Sequence, residues 1–316
     1  MSSPRATRTL RRMLLACCLC AAGAAGADSG ARIGVLFADP TASYAGYYAD
    51  LERLTVAAGS AWLQQLASAP GVELTVNISF ASLATASGRS ATTAYYGSAS
   101  DGSTLWSQGA AHELRTGIDA NGAAPDIEFV IGIDGYLQNE LWFDPDPLSR
   151  SAAVPGSQTD AMTVLMHEFG HALGFNGWLD ASSGAAAGGY LSTFDAQVQP
   201  MATPLGTALF FSGAQAMAVY GGPVPLTLGA YAHLGNDVAG LGLDLVPDLM
   251  NGVVFYRGVR GDISALDLAM LADTGLGVTA LVVPEPGAAL LLLAGLPLLG
   301  AVLRRRRRLE RAAVPS

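Results

Sequence analysis

"HEFGHALGFNG", His167–Gly177, sets two histidines four residues apart, a glutamate beside the first, and a glycine three residues after the second. On an α-helix, positions i and i+4 share one face, so His167 and His171 can offer ring nitrogens to a single ion, at about 2.0–2.1 Å for zinc. Glu168 stands beside that face, where a carboxylate can take a proton from water that the ion activates. The bland alternative is two solvent-facing histidines on an amphipathic helix. Against it, the stretch sits inside a well-marked helix. Ser157 to Asp160 match the S-x-x-D capping pattern, an apolar run continues to Leu173, and Gly174 is expected to close the helix in a left-handed conformation. A catalytic site needs a third protein ligand and one open position.

That ligand is sought by elimination. Downstream of Glu168 the only glutamates are Glu285 and Glu310, both in the C-terminal tail, which removes a thermolysin-like site with a glutamate ligand. The pattern H-E-x-x-H-x-x-G-x-x-H is met at Gly174, but its last position is Gly177, which cannot ligate. The histidines are His112, His167, His171 and His233, and only His233 follows the helix. Asp180, Asp195, Asp237, Asp244 and Asp248 stay open as competing donors. His112, in "AAHELRTG", has no ligand partner nearby in sequence and is assigned no role. Closing the 62-residue span between His171 and His233, rather than a span of six, costs only about 2 kcal/mol more in chain entropy. Structural zinc supplies roughly 10–16 kcal/mol of binding.

"AYAHLGNDVAGLGLDLVPDLMNG", around His233, contains Met250 near its end and precedes a helical stretch. In this order of histidine, methionine and closing helix the chain resembles leishmanolysin-like metzincins, in which an insertion separates the glycine from the third histidine. The resemblance implies His167, His171 and His233 as ligands to one zinc ion, Glu168 as base and Met250 as the methionine of a turn beneath the metal. Read without it, Met250 is equally a core gap-filler. The chain departs from cysteine-rich members: Cys17, Cys18 and Cys20 are its only cysteines, all within an expected export signal.

Both ends read as address labels. Residues 1–27 run from Arg5, Arg8, Arg11 and Arg12 through "MLLACCLCAAGAAGA" to small residues at Ala25 and Ala27, the order of a secretory signal. At the other end Val283-Pro284-Glu285-Pro286, an apolar run Gly287–Leu303 and Arg304–Arg308 resemble a PEP-CTERM sorting tail, residues 283–308. That resemblance implies handling by an exosortase-type enzyme in a Gram-negative bacterium. It also implies transient membrane anchoring and a final place in the cell envelope or extracellular matrix. Between the labels, residues 28–283 carry 7 arginines, no lysine and 24 acidic residues, a balance of −17. Such a surface repels nucleic acid and anionic lipid. It can attract calcium, although no EF-hand pattern is present.

The body of the chain predicts an α+β fold, and the resemblance specifies a zincin or metzincin form. "RIGVLFAD" (Arg32–Asp39) and "VELTVNISFASL" (Val72–Leu83) read as strands flanking a helix in "YYADLERLTVAAGSAWLQQLAS". Ala84–Gly109 reads as a loop or hairpin with little core, while "DIEFVIGID" and "ELWFD" return to strand. Asn176–Tyr231 is weakly patterned, and "ISALDLAMLADTG" is a short helix with Ser264 as cap and Gly275 as stop. Tyr256 is read as a buried aromatic rather than as a donor to a developing oxyanion. The expectation is one catalytic domain, 28–282. Its N-terminal part, 28–174, carries a mixed twisted sheet and the active-site helix; its C-terminal part, 175–282, is mostly irregular with a closing helix. The expected function is that of a secreted zinc endopeptidase acting on protein or peptide, the substrate lying as an extended strand on a sheet edge. The rival is a non-catalytic surface or matrix protein on the same fold.

Overall fold

A computed structural model of the chain describes residues 30–279, so the expected export signal and the expected sorting tail lie outside the described residues. Strand β1 (Arg32–Ala38), helix α1 (Tyr48–Leu63) and strand β2 (Glu73–Ala81) form the predicted β-α-β opening, with β1 and β2 parallel. Strand β3 (Ala86–Ser90) follows, then a hairpin of β4 (Thr93–Ser98) and β5 (Thr104–Gln108), and helix α2 (Gly109–Thr116). Strand β6 (Ile127–Gly132) enters the main sheet, whose order is β1-β2-β6-β3. The first three strands are parallel; β3 runs antiparallel to β6 and, among the described residues, has no strand on its other side. The Ala84–Gly109 segment thus holds the expected hairpin, β4–β5, and in addition an edge strand that was not expected. Its weak alternation hides an edge strand because small residues, Ala86, Ser87 and Gly88, press close to a helix there.

A π-helical turn, Tyr136–Glu140, shortens the expected strand near Trp142 to β7 (Leu141–Trp142), which pairs with β8 (Thr159–Asp160). Helix α3 (Ala161–Leu173) starts at once. Asp160 is its N-cap, accepting from the Thr163 amide, three residues beyond the predicted Ser157. Gly174 ends the helix at φ 172, extended rather than left-handed. Glycine is required there by space: a Cβ would sit 2.6 Å from Leu271 Cδ2 and 3.1 Å from Thr274 Oγ1.

The weakly patterned stretch after α3 holds β9 (Tyr190–Ser192), paired in parallel with β5, and a small sheet of β10 (Val198–Thr203), β11 (Gly206–Phe211) and β12 (Val224–Pro225). Helix α4 (Ala214–Tyr220) packs on α5 (Ala265–Asp273). In α5, Ser264 and Asp267 form the predicted cap as a reciprocal pair. One core runs through all of this, from Leu51, Leu54 and Trp62 on α1, through Phe129 on β6 and Phe169 on α3, to Leu266–Leu271 on α5. Trp62 Nε1 donates to the Met166 carbonyl at 2.9 Å and fixes α1 against α3. The fold is α+β. No helix of the described residues is long and apolar enough to cross a membrane.

Candidate metal centre

Helix α3 is buried along almost its whole length, so His167 and His171 face the protein interior from below a cleft. His233 arrives from the loop before Leu234, a residue whose amide bonds to the Met250 carbonyl at 2.8 Å. The Nε2 atom of His171 lies 3.1 Å from that of His167 and 3.0 Å from that of His233. Each opposite ring nitrogen faces a backbone carbonyl: His167 Nδ1 to Leu249 at 2.7 Å, His171 Nδ1 to Phe175 at 2.7 Å, His233 Nδ1 to Ala230 at 3.1 Å. A carbonyl only accepts, so each Nδ1 carries the proton and each Nε2 is left with a lone pair. Three lone pairs converge with no proton among them.

That arrangement is repulsive unless a cation takes all three. Two nitrogens on one zinc ion at about 2.0–2.1 Å with a tetrahedral angle are about 3.3 Å apart, close to the observed spacing. The donor set fits, and the three histidines form a group that could hold a metal ion. Burial holds all three in the neutral, ligating form, pushing the His167 imidazole down to about 3 and those of His171 and His233 below their ordinary value.

None of the competing aspartates joins this group. Asp195 is fully engaged, accepting from the amides of Trp178 and Ser192 and from Tyr231 Oη at 2.9, 3.0 and 2.8 Å. This also explains Gly177, where a Cβ would lie 2.6 Å from Tyr231 Oη and run into Asp195. Asp180 closes a serine turn, Asp248 accepts from the Met250 amide at 3.1 Å, and Asp237 and Asp244 are exposed. His112 lies away from the site, within 3.4 Å of Arg115.

Met250 is fully buried under α3, its Cε 2.8 Å from where a Cβ on Gly170 would stand. It is therefore a core residue, packed against α3 at Gly170, which lies between His167 and His171 in the helix. Glu168 is 3% exposed, lines the same cleft, and accepts from the Gly88 amide of β3. Burial is the main influence on its carboxyl and pushes it up to about 8.

The cleft has a volume of about 900 Å³. Thr85–Gly88 of the edge strand line it on one side, and Asn251–Arg257, the segment after Met250, on the other. Tyr256 lines that wall at 48% exposure, so it is not the buried aromatic expected. Its segment is held in place elsewhere by Arg260 and Gly261. Arg260 is 2.7 Å from Asp144, and the Gly261 amide donates to Thr163 Oγ1 at 2.9 Å. Sequence reasoning missed Gly88, Tyr136, Glu140 and Arg257 as cleft residues. For Gly88 the available signal was a lone glycine in a strand-length run, which often marks close backbone approach.

No protein-family model, curated protein or solved structure matches the chain.

Proposed function

We propose that the protein is a zinc-dependent endopeptidase of metzincin-like fold. The observation that carries this reading is the convergence of three imidazole lone pairs beside a buried carboxylate, in a cleft walled by an unpaired strand edge. His167, His171 and His233 would hold the ion. Zinc in such a site supplies Lewis acidity, polarising a carbonyl and lowering the pKa of water.

The remaining work falls to the chain's own groups. Glu168 takes a proton from the attacking water and returns it to the leaving nitrogen. Burial pushes this carboxyl up, which makes the carboxylate a stronger base. The Gly88 amide holds the carboxylate at the cleft floor. Strand β3 receives the peptide main chain as an added strand, and the opposing wall from Asn251 to Arg257 confines it. Main-chain recognition of this kind makes few demands on sequence.

The export signal and the PEP-CTERM-like tail support the further proposal of a protein carried across the inner membrane and retained near the envelope. An exosortase-type enzyme would be its processing partner there.

The test is digestion of casein or gelatin by the zinc-loaded chain, with Glu168→Ala and Glu168→Gln as controls. The expected outcome is chelator-sensitive cleavage by the wild type and none by either variant, all three with equal zinc content. Zinc bound at full occupancy without turnover in the wild type would instead support the non-catalytic surface protein.

A further inference from the structure

The main sheet has a second edge, at β1, the end of the strand order opposite β3. Strand β1 is held by β2 along one side and by α1 over one face. The Arg32 amide donates to the Val72 carbonyl at 2.9 Å, so in this parallel pair the backbone groups of Arg32, Gly34, Leu36 and Ala38 turn toward β2. Those of Ile33, Val35 and Phe37 therefore turn outward. Among the described residues nothing bonds to them.

Natural sheets blunt such an edge with charges, proline, a bulge or a covering element. Between Ile33 and Ala38 the strand has no charge and no proline, its register with β2 is unbroken, and Leu36 is 52% exposed. The edge is instead complementary to itself. Laid antiparallel on a second copy with Val35 opposite Val35, it sets Ile33 opposite Phe37, and every outward group meets a partner in pairs that exchange two hydrogen bonds each. The side chains of these residues lie on the core side and form apolar cross-strand pairs. On the other face Gly34 and Leu36 come opposite each other, so the exposed leucine of one copy covers the glycine of the other. At each end Arg32, 74% exposed at its side chain, approaches the stretch Ala38–Asp39 of the second copy, positive toward negative. A parallel pairing of the two edges would need a shift of one residue, which a two-fold axis does not allow.

We propose that β1 pairs antiparallel with β1 of a second copy of this chain, joining the two main sheets into one continuous sheet about a two-fold axis. The strand order then runs from β3 of one copy to β3 of the other. Both clefts stay open at the far ends, since β3 and the wall facing it take no part in the pairing. The surface is separate from the histidine centre and does not depend on the peptidase reading.

One strand pair is a small interface, of the class below about 1,200 Å², and predicts a dissociation constant on the order of 1–100 µM. The experiment is sedimentation velocity of the full-length chain from about 1 to about 300 µM, with residue-resolved hydrogen exchange at both ends of that range. The wild type should pass from monomer to dimer, and the Ile33, Val35 and Phe37 amides should exchange about 3- to 10-fold more slowly at the top of the range. Val35→Pro deletes an outward N–H that no bond within the chain uses, and Leu36→Lys places a charge at an exposed position. Both variants should fold and stay monomeric throughout. A wild type that remains monomeric overturns the proposal. So does a dimer in which the three amides exchange as fast as in dilute solution, or one undiminished in Leu36→Lys. Amides already slow at the lowest concentration, with no dimer, assign the edge to another segment of the same chain instead.

Discussion

The amide of Gly88 on the edge strand donates to the carboxylate of Glu168 on the metal-site helix, and the two backbones meet there without room for a side chain. A Cβ on Gly88 would lie 2.6 Å from Glu168 Cβ and 2.9 Å from its Cα. Gly88→Ala must therefore push strand from helix and shift the Glu168 carboxylate, the proposed base, relative to the histidines. Displacement of a catalytic group by about 1 Å costs on the order of 100-fold in rate. The expected result is full zinc content with kcat lowered by that order, read by metal analysis beside steady-state kinetics; wild-type kcat would show that Gly88 does not position Glu168.

His233→Ala removes one of three converging nitrogens, whereas Asp244→Ala removes an exposed carboxylate outside the group. Loss of a group that merely orients a ligand lowers metal affinity about 10–100-fold, and loss of a ligand lowers it further. Competition with a chromogenic chelator should show zinc stripped from the first variant and retained by the second. The opposite ranking would mean that the ligand set is wrong.

Beneath the centre, Met250 and Gly170 share one volume. Gly170→Ala overpacks it and is expected to destabilise the fold by about 1–3 kcal/mol, while the volume-conserving Met250→Leu costs less than about 1.5 kcal/mol. Urea unfolding of the zinc-free chain measures both. Equal stability of Gly170→Ala and wild type would show that the methionine yields freely.

Arg260 is 17% exposed at its side chain and stands 2.7 Å from Asp144, itself fully buried; Arg150 reaches Asp160, the α3 cap, at 3.3 Å. Breaking a buried pair leaves an uncompensated charge at a cost of about 3–5 kcal/mol. Arg260→Ala should lose that much stability in denaturant titration, and it should also loosen the cleft wall that begins at Asn251. A loss below 1 kcal/mol would mean that water enters and solvates Asp144.

Asp267 is fully buried on α5 beside Asp248, whose carboxylate accepts from the Met250 amide. Burial, then the Asp248 charge, hold the Asp267 carboxyl well above its ordinary value of 3.8. The folded chain thus keeps a proton that the unfolded chain releases above 3.8. This contribution is complete below that pH and falls as pH rises through the folded value. Asp267→Asn keeps an acceptor for the Ser264 amide and adds a donor toward Asp248. Its Tm should therefore decline less than that of wild type between pH 5 and pH 9. Parallel pH profiles would mean that Asp267 holds no such proton in the folded chain.

Local chemistry made much of the fold legible in advance. The β-branched runs at Arg32 and Val72 became β1 and β2, the helical spacing between them became α1, and the Ser264 cap formed as read. These are signals carried by neighbours in sequence. Where contacts over long sequence distances decided the outcome, pattern reading missed. The edge strand β3 is short, small and polar because a helix lies against it, and the cap of α3 moved from Ser157 to Asp160 because Arg150 and Arg260 gather there. Gly174 is a glycine for want of space beside Leu271, not for a left-handed turn. Tyr256 faces the cleft because its segment is pinned at Arg260 and Gly261 and has no core above it.

By itself the sequence determined which side chains could ligate and which could not. Two histidines at helical spacing are a local fact, and the scarcity of histidines and glutamates downstream narrowed the third donor to His233 or an aspartate. Only the tertiary structure placed one of them, His233, beside the helical pair. It brought an imidazole from 62 residues beyond His171 to 3.0 Å, turned Asp195 inward onto Trp178, Ser192 and Tyr231, and left Asp244 at the surface. The reason is that a ligand set is defined by where lone pairs meet in space, and chain entropy penalises a distant partner too weakly for spacing along the sequence to identify it.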